Sequence, residues 1–146
     1  MNTQNIPLSV PLPERVATIA ACLDEHKAQN IVCLDISKES GGGFADRLFI
    51  ATAGSPRHAR SLVDALAEIC HANGYDYLRV EGYNLGEWVL VDLNDIVVSV
   101  FLEETRATYK LEDLWCKAPR EALAVTGAPA GGQIGRNTDS EGVEND

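Results

Sequence analysis

Two short β-branched runs separated by three residues constrain this chain more than any other feature. Glu87–Asp92 (EWVLVD) and Ile96–Phe101 (IVVSVF) flank Leu93-Asn94-Asp95, and Asn tolerates the left-handed backbone that a tight turn demands, so the pair predicts an antiparallel hairpin. Side chains alternate across a strand. Trp88, Leu90 and Asp92 therefore share one face while Val89 and Val91 share the other. The valine face is the expected core. The opposite face, counting Glu87 at the strand's start, carries an aromatic and two carboxylates. The hairpin runs directly into Leu102–Trp115 (LEETRATYKLEDLW), an acidic amphipathic segment.

The remainder of the chain supplies partners for that hairpin. Residues 1–12 are proline-rich and predict an irregular arm. A helix follows from Pro13, with Val16, Ile19, Ala20 and Leu23 on one face, closing near Gln29-Asn30. Ile31–Ile36 and Asp46–Ala53 read as strands joined by a flexible KESGGG connector, Lys38–Gly43. Ser55 can cap a second helix that has Pro56 in its first position and Gly74 as a left-handed stop, and Tyr77–Glu81 is a further strand. The order predicts an α/β fold: one domain over 13–116, a mixed β-sheet of about five strands with helices packed on it. From Lys117 the composition turns to Gly, Pro and polar residues without an apolar period, so 117–146 reads as a disordered tail. A folded part of about 110 residues buries roughly 65% of its extended-chain surface, enough for one core.

Charge narrows the partners. The formal net charge of -10 argues against direct binding of DNA or RNA, which depends on Lys and Arg releasing condensed counterions. Nine acids face three bases between Asp76 and Trp115. Such a surface favours a basic partner, although acids that only solvate the domain would give the same count. Cys22, Cys33, Cys70 and Cys116 have unrelated spacings and read as reduced thiols, mostly in the core. The start of the chain lacks the charge and apolar pattern of a secretory signal, and no 18 apolar residues run together. The expectation is a soluble cytoplasmic protein without a membrane span.

Candidate chemistry is thin. Metal-assisted nucleotidyl transfer wants two carboxylates two residues apart on one strand, and the acid-x-acid matches, Asp139/Glu141 and Glu144/Asp146, fall in the tail. Arg57 and His58 could bind an anion in the first turn of the second helix, or could simply bond to the strand ends. Cys22 and His26 have metal-ligand spacing but no second pair completes a site. No catalytic residue, metal or cofactor is assigned. What stands out is interface composition: Trp88, Tyr109 and Trp115 as aromatic anchors, with Glu103, Glu104, Glu112 and Asp113 among them. Ordinary core packing competes with that reading, most strongly for Trp115, where Leu111, Leu114 and Trp115 would form the apolar side of a final helical turn.

Several motifs occur together in one order: Ala45-Asp46, Ile50-Ala51-Thr52, Ser55-x-Arg57-His58, Val80-Glu81-Gly82, Gly86–Asp92, Val97–Leu102, then Arg106, Tyr109, Leu111, Glu112, Leu114 and Trp115. Over residues 14–116 this pattern resembles the ribosomal silencing factor, or Iojap-related, family. The resemblance implies a fold like that of nucleotidyltransferases without the catalytic carboxylates, and a translation regulator rather than an enzyme. It implies binding to the large ribosomal subunit through that subunit's fourteenth protein, obstruction of small-subunit joining under nutrient limitation, and homodimer formation. Matched motif by motif, the contact residues would be Trp88, Glu87, Leu90 and Asp92, with Glu103, Tyr109 and Lys110 from the following segment. The chain departs from the pattern at Arg47 and Ala53, where an aromatic and a glycine are more usual, at Ser99 in place of a histidine, and at Asn94 in place of a turn glycine. The alternatives are a nucleotidyltransferase-related enzyme and an acidic adaptor for another basic protein.

Overall fold

The computed structural model describes residues 10–38 and 45–125. The apolar stripe Val16, Ile19, Ala20, Leu23 forms the buried side of α1 (Leu12–Glu25). This helix stops earlier than its sequence suggests. Lys27 takes a left-handed φ of 70°, and the Ala28 N–H reaches back to the Leu23 carbonyl at 2.9 Å while Lys27 N–H bonds Asp24 at 3.0 Å. That is a Schellman closure made without glycine, which left no sequence signal. The second helix, α2 (Pro56–Asn73), follows its signals: the Ser55 hydroxyl accepts from the His58 N–H, and Gly74 closes the helix at φ 71°.

The strands are β1 (Gln29–Asp35), β2 (Arg47–Ala53), β3 (Arg79–Glu81), β4 (Trp88–Asp92) and β5 (Ile96–Leu102). They form one sheet in the order β1-β2-β5-β4-β3. Central β2 and β5 are parallel, and the other neighbours are antiparallel, giving the expected mixed five-stranded sheet. The β4–β5 hairpin turns at Asn94, φ 82°, whose N–H bonds the Asp92 carboxylate at 2.9 Å. A bulge in β1 between Gln29 and Val32 coincides with left-handed Asn30, φ 49°.

The sheet separates two clusters. On one side α1 and α2 cover Cys33, Phe49, Ala51, Val89, Val91, Val98 and Val100. On the other, Val32, Leu34, Leu48, Ile50, Val97 and Phe101 pack with Ala118, and Trp88, Leu90, Leu111 and Trp115 lie half-buried against them. The expected single last helix divides at Lys110 into α3 (Glu103–Tyr109) and α4 (Leu111–Leu114). Leu111 and Trp115 dock as expected, but Leu114 does not: it is 73% exposed, at the last position of the four-residue α4.

Chain expected to be tail continues on the sheet. Asp35 N–H bonds the Pro119 carbonyl and Glu121 N–H bonds the Cys33 carbonyl, each at 2.8 Å, so this segment covers the free edge of β1 through a Leu34–Arg120 bridge. Arg47 reinforces it, reaching Glu121 at 2.6 Å and Asp35 at 3.0 Å. Residues 1–9 of the expected 1–12 arm, all but Lys38 of the glycine connector, and the expected tail from 126 onward lie outside the described residues.

Candidate functional site

The side of β4 that faces away from α1 and α2 carries the residues singled out in the sequence. Burial along β4 alternates, Val89 and Val91 fully buried and Trp88, Leu90 and Asp92 half-buried. The alternation follows from the strand's period of two. Glycine fixes where the strand begins. Gly82 adopts φ 83°, and a Cβ there would stand 2.2 Å from the Trp88 carbonyl oxygen. Gly86, φ 73°, closes on Pro56 of α2, where a Cβ would come within 2.8 Å. The loop between them is therefore pinned at both ends, and Trp88 enters the sheet at a set position.

Strand register shows what lies beside each residue. Trp88 opposes Phe101, Leu90 opposes Ser99 and Asp92 opposes Val97, while from β3 Glu81 opposes Leu90 and Arg79 opposes Asp92. Directly opposed residues share a face. Trp88 stacks on Phe101 with ring centroids 4.9 Å apart and meets Tyr109 of α3 at 5.0 Å, the rings tilted by 44°. Tyr109 is 59% exposed. Trp88 Nε1 and Ser99 Oγ are buried and find no hydrogen-bond partner among the described residues.

Of the seven residues expected to contact a partner, Trp88 and Leu90 lie half-buried on this face and Tyr109 leans on Trp88. Glu103 and Lys110 are exposed at the start and close of α3, and Glu87, also exposed, falls by the strand's alternation on the side of Val89 and Val91 rather than beside Trp88. Asp92 is engaged: besides the turn N–H it lies 3.7 Å from Arg79. Lys110 is also the left-handed corner between α3 and α4, φ 50°.

Arg106 belongs to the motif pattern, but sequence reasoning gives it no role; it is the residue that holds this corner on the sheet. Its guanidinium donates to both Glu112 carboxylate oxygens at 3.0 and 2.8 Å, to the Thr52 hydroxyl at 2.7 Å and to the Asn30 carbonyl at 2.9 Å, which the β1 bulge turns outward. The bidentate pair holds the Glu112 carboxyl below its ordinary range. A lone arginine in a helix carries no such signal. Arg79, and the place of the motif residue Glu81 on this face, were also missed, and only the β3–β4 register reveals them.

Other candidates resolve into structure. His58 Nδ1 accepts the Gly54 N–H at 2.9 Å and Nε2 donates to the His26 carbonyl at 2.7 Å, so its ring ties α2 to the end of β2 and the close of α1. His26 Nδ1 faces the Cys22 carbonyl at 2.9 Å. Burial raises the thiol pKa of Cys22 and Cys70 to about 11 and of Cys33 to about 12, while Cys116 is exposed. Among the described residues no group of three His, Cys, Asp or Glu could hold a metal ion, and no helix is long and apolar enough to cross a membrane.

Comparison with known proteins bears on the chain as a whole. The family model described as "Ribosomal silencing factor during starvation" matches residues 10–145. Ribosomal silencing factor RsfS of Halalkalibacterium halodurans is 36% identical over 101 residues, covering 69% of this chain and 85% of that protein. The Bacillus subtilis protein of the same name is 35% identical over 100 residues, covering 68% and 83%. A mouse protein named for mitochondrial assembly of the ribosomal large subunit is 28% identical over 102 residues, covering 66% of this chain and 43% of its own length. The crystal structure of a Chromobacterium violaceum protein superposes with a TM-score of 0.70 at 32% identity, covering 82% of this chain and 97% of that one.

Proposed function

The chain belongs to the ribosomal silencing factor family, and from that membership we propose that it binds the large ribosomal subunit through the subunit's fourteenth protein and sterically blocks joining of the small subunit. It thereby represses translation when nutrients are short, acting in the cytoplasm and without a catalytic step. The observation that carries the reading is the half-covered face at Trp88, Leu90 and Tyr109. Its chemistry suits a basic ribosomal protein. An aromatic and a leucine on a strand offer an apolar anchor, and Glu87 and Glu103 are exposed, so that each pairing with an Arg or Lys of the partner would contribute about 0–1 kcal/mol. Affinity then rests on the apolar centre, and the acids act chiefly on the rate of encounter. A homodimer formed across the same face would compete with the ribosome.

The test is sedimentation of the full chain with separated ribosomal subunits. Comigration with the large subunit, and loss of the joined peak when small subunits are added, is the expected result. A protein that stays at the top of the gradient while joining proceeds would overturn the reading.

A further inference from the structure

The most informative atom on the candidate face is Trp88 Nε1, a buried donor that has no acceptor among the described residues. Folded proteins satisfy nearly all such groups, because a donor taken out of water without a partner costs stability. An orphan of this kind on a half-covered face is where an acceptor from outside would be most strongly rewarded.

Two rings touch Trp88, and they differ in mobility. Phe101 is fully buried and cannot leave without opening the sheet's second cluster. Tyr109 is the more exposed ring, at the end of a helix that buries none of its residues. The next residue, Lys110, holds a left-handed backbone without being glycine, a conformation that persists only while its surroundings enforce it. The neighbouring anchors are firm: Arg106 is clamped by Glu112, Thr52 and Asn30, and Leu111 and Trp115 pack on the sheet. A small shift can thus be confined to Tyr109 and Lys110.

We infer that the Trp88 indole N–H is a specificity element, reserved for a backbone carbonyl or side-chain oxygen of the partner and reached when Tyr109 moves aside on binding. The inference rests on the reading of this face as the one that meets the ribosomal protein. It adds a directional requirement that apolar anchoring lacks: a partner with the right charge and shape but no acceptor at this point binds less well. Ser99 is the internal competitor, since its own orphaned hydroxyl lies diagonally across the β4–β5 ladder from Trp88.

The full chain carrying Trp115→Phe leaves a single indole, whose N–H resonance is followed by NMR as the isolated fourteenth protein of the large subunit is added. The free protein should show an indole signal at the position of a non-bonded N–H, moving downfield in the complex. Trp88→Phe, which keeps a ring and removes the donor, should bind about tenfold more weakly when measured at a temperature where circular dichroism shows it folded. A complex that forms with the indole signal unmoved overturns the inference and leaves the ribosomal reading standing, as does full affinity in Trp88→Phe. Movement of the signal in the free protein on Ser99→Ala would reveal an internal bond and also overturn it. If no complex forms, the ribosomal reading itself fails and takes the inference with it.

Discussion

The two faces of the sheet are built from the same strands and are finished differently. Beneath α1 and α2, Val89, Val91, Val98, Val100, Phe49 and Ala51 are fully buried. Across the sheet, the same β4 presents Trp88, Leu90 and Asp92 half-covered, the buried Nε1 of Trp88 and hydroxyl of Ser99 lack partners among the described residues, and the covering helices α3 and α4 bury no residue of their own. One face has the completeness that stability requires. The other carries local defects of the sort that proteins retain where a surface has work to do. A five-residue strand thus serves both ends, because its period of two sends alternate residues to faces with different requirements.

The largest effect that sharpens this contrast comes from the closed face. Leu66→Ala removes a fully buried side chain from α2 and should lower unfolding free energy by about 2–5 kcal/mol, measured by urea denaturation. Its affinity for the large subunit, assayed where the variant is still folded, should stay at the parent value. A matching loss of affinity would mean that the two faces are not separable.

A smaller effect concerns the ion pair that ties α1 to the hairpin turn. Arg15 donates to both Asp95 oxygens at 2.6 and 2.8 Å, and this bonding holds the Asp95 carboxyl below its ordinary range. A carboxyl whose folded pKa is depressed contributes stability above its unfolded pKa, about 3.9, and loses it as pH falls through the folded value. Asp95→Asn should therefore be less stable than the parent at pH 7 by about 1 kcal/mol, allowing for the pair's partial exposure, and the gap should narrow below about pH 4. Urea midpoints across that range check it. A gap that is constant with pH would show that the pair contributes nothing through its charge.

How much of this was legible depended on the range of the interactions involved. The hairpin, α2 and the division of β4 into two faces follow from local signals: Asn94 at a turn, Ser55 and Gly74 at helix ends, and strict alternation from Trp88 to Asp92. The close of α1 escaped because Lys27 does the task usually given to glycine. Leu114 is apolar and helical as expected, yet it lies at the end of a helix of only four residues and points to solvent. The packing of 117–125 depends on partners far away in sequence, Cys33 and Asp35, and its composition resembles that of a tail. In the candidate site, Trp88, Leu90 and Asp92 share one face as their alternation predicts, whereas Glu87 falls on the other, and the roles of Arg106, Arg79 and Glu81 could not be read without strand register and the β1 bulge. Nor does any sequence pattern disclose that an indole N–H is buried without an acceptor.

The central claim is that the half-covered face binds and the closed face stabilises. It is tested most directly by the affinity of Trp88→Ala for purified large subunits, at a temperature where circular dichroism shows the variant folded. The account predicts a loss of more than about 1 kcal/mol, roughly fivefold or greater in Kd, in a protein that still melts cooperatively. Unchanged affinity in the folded variant would contradict it and move the binding site away from β4.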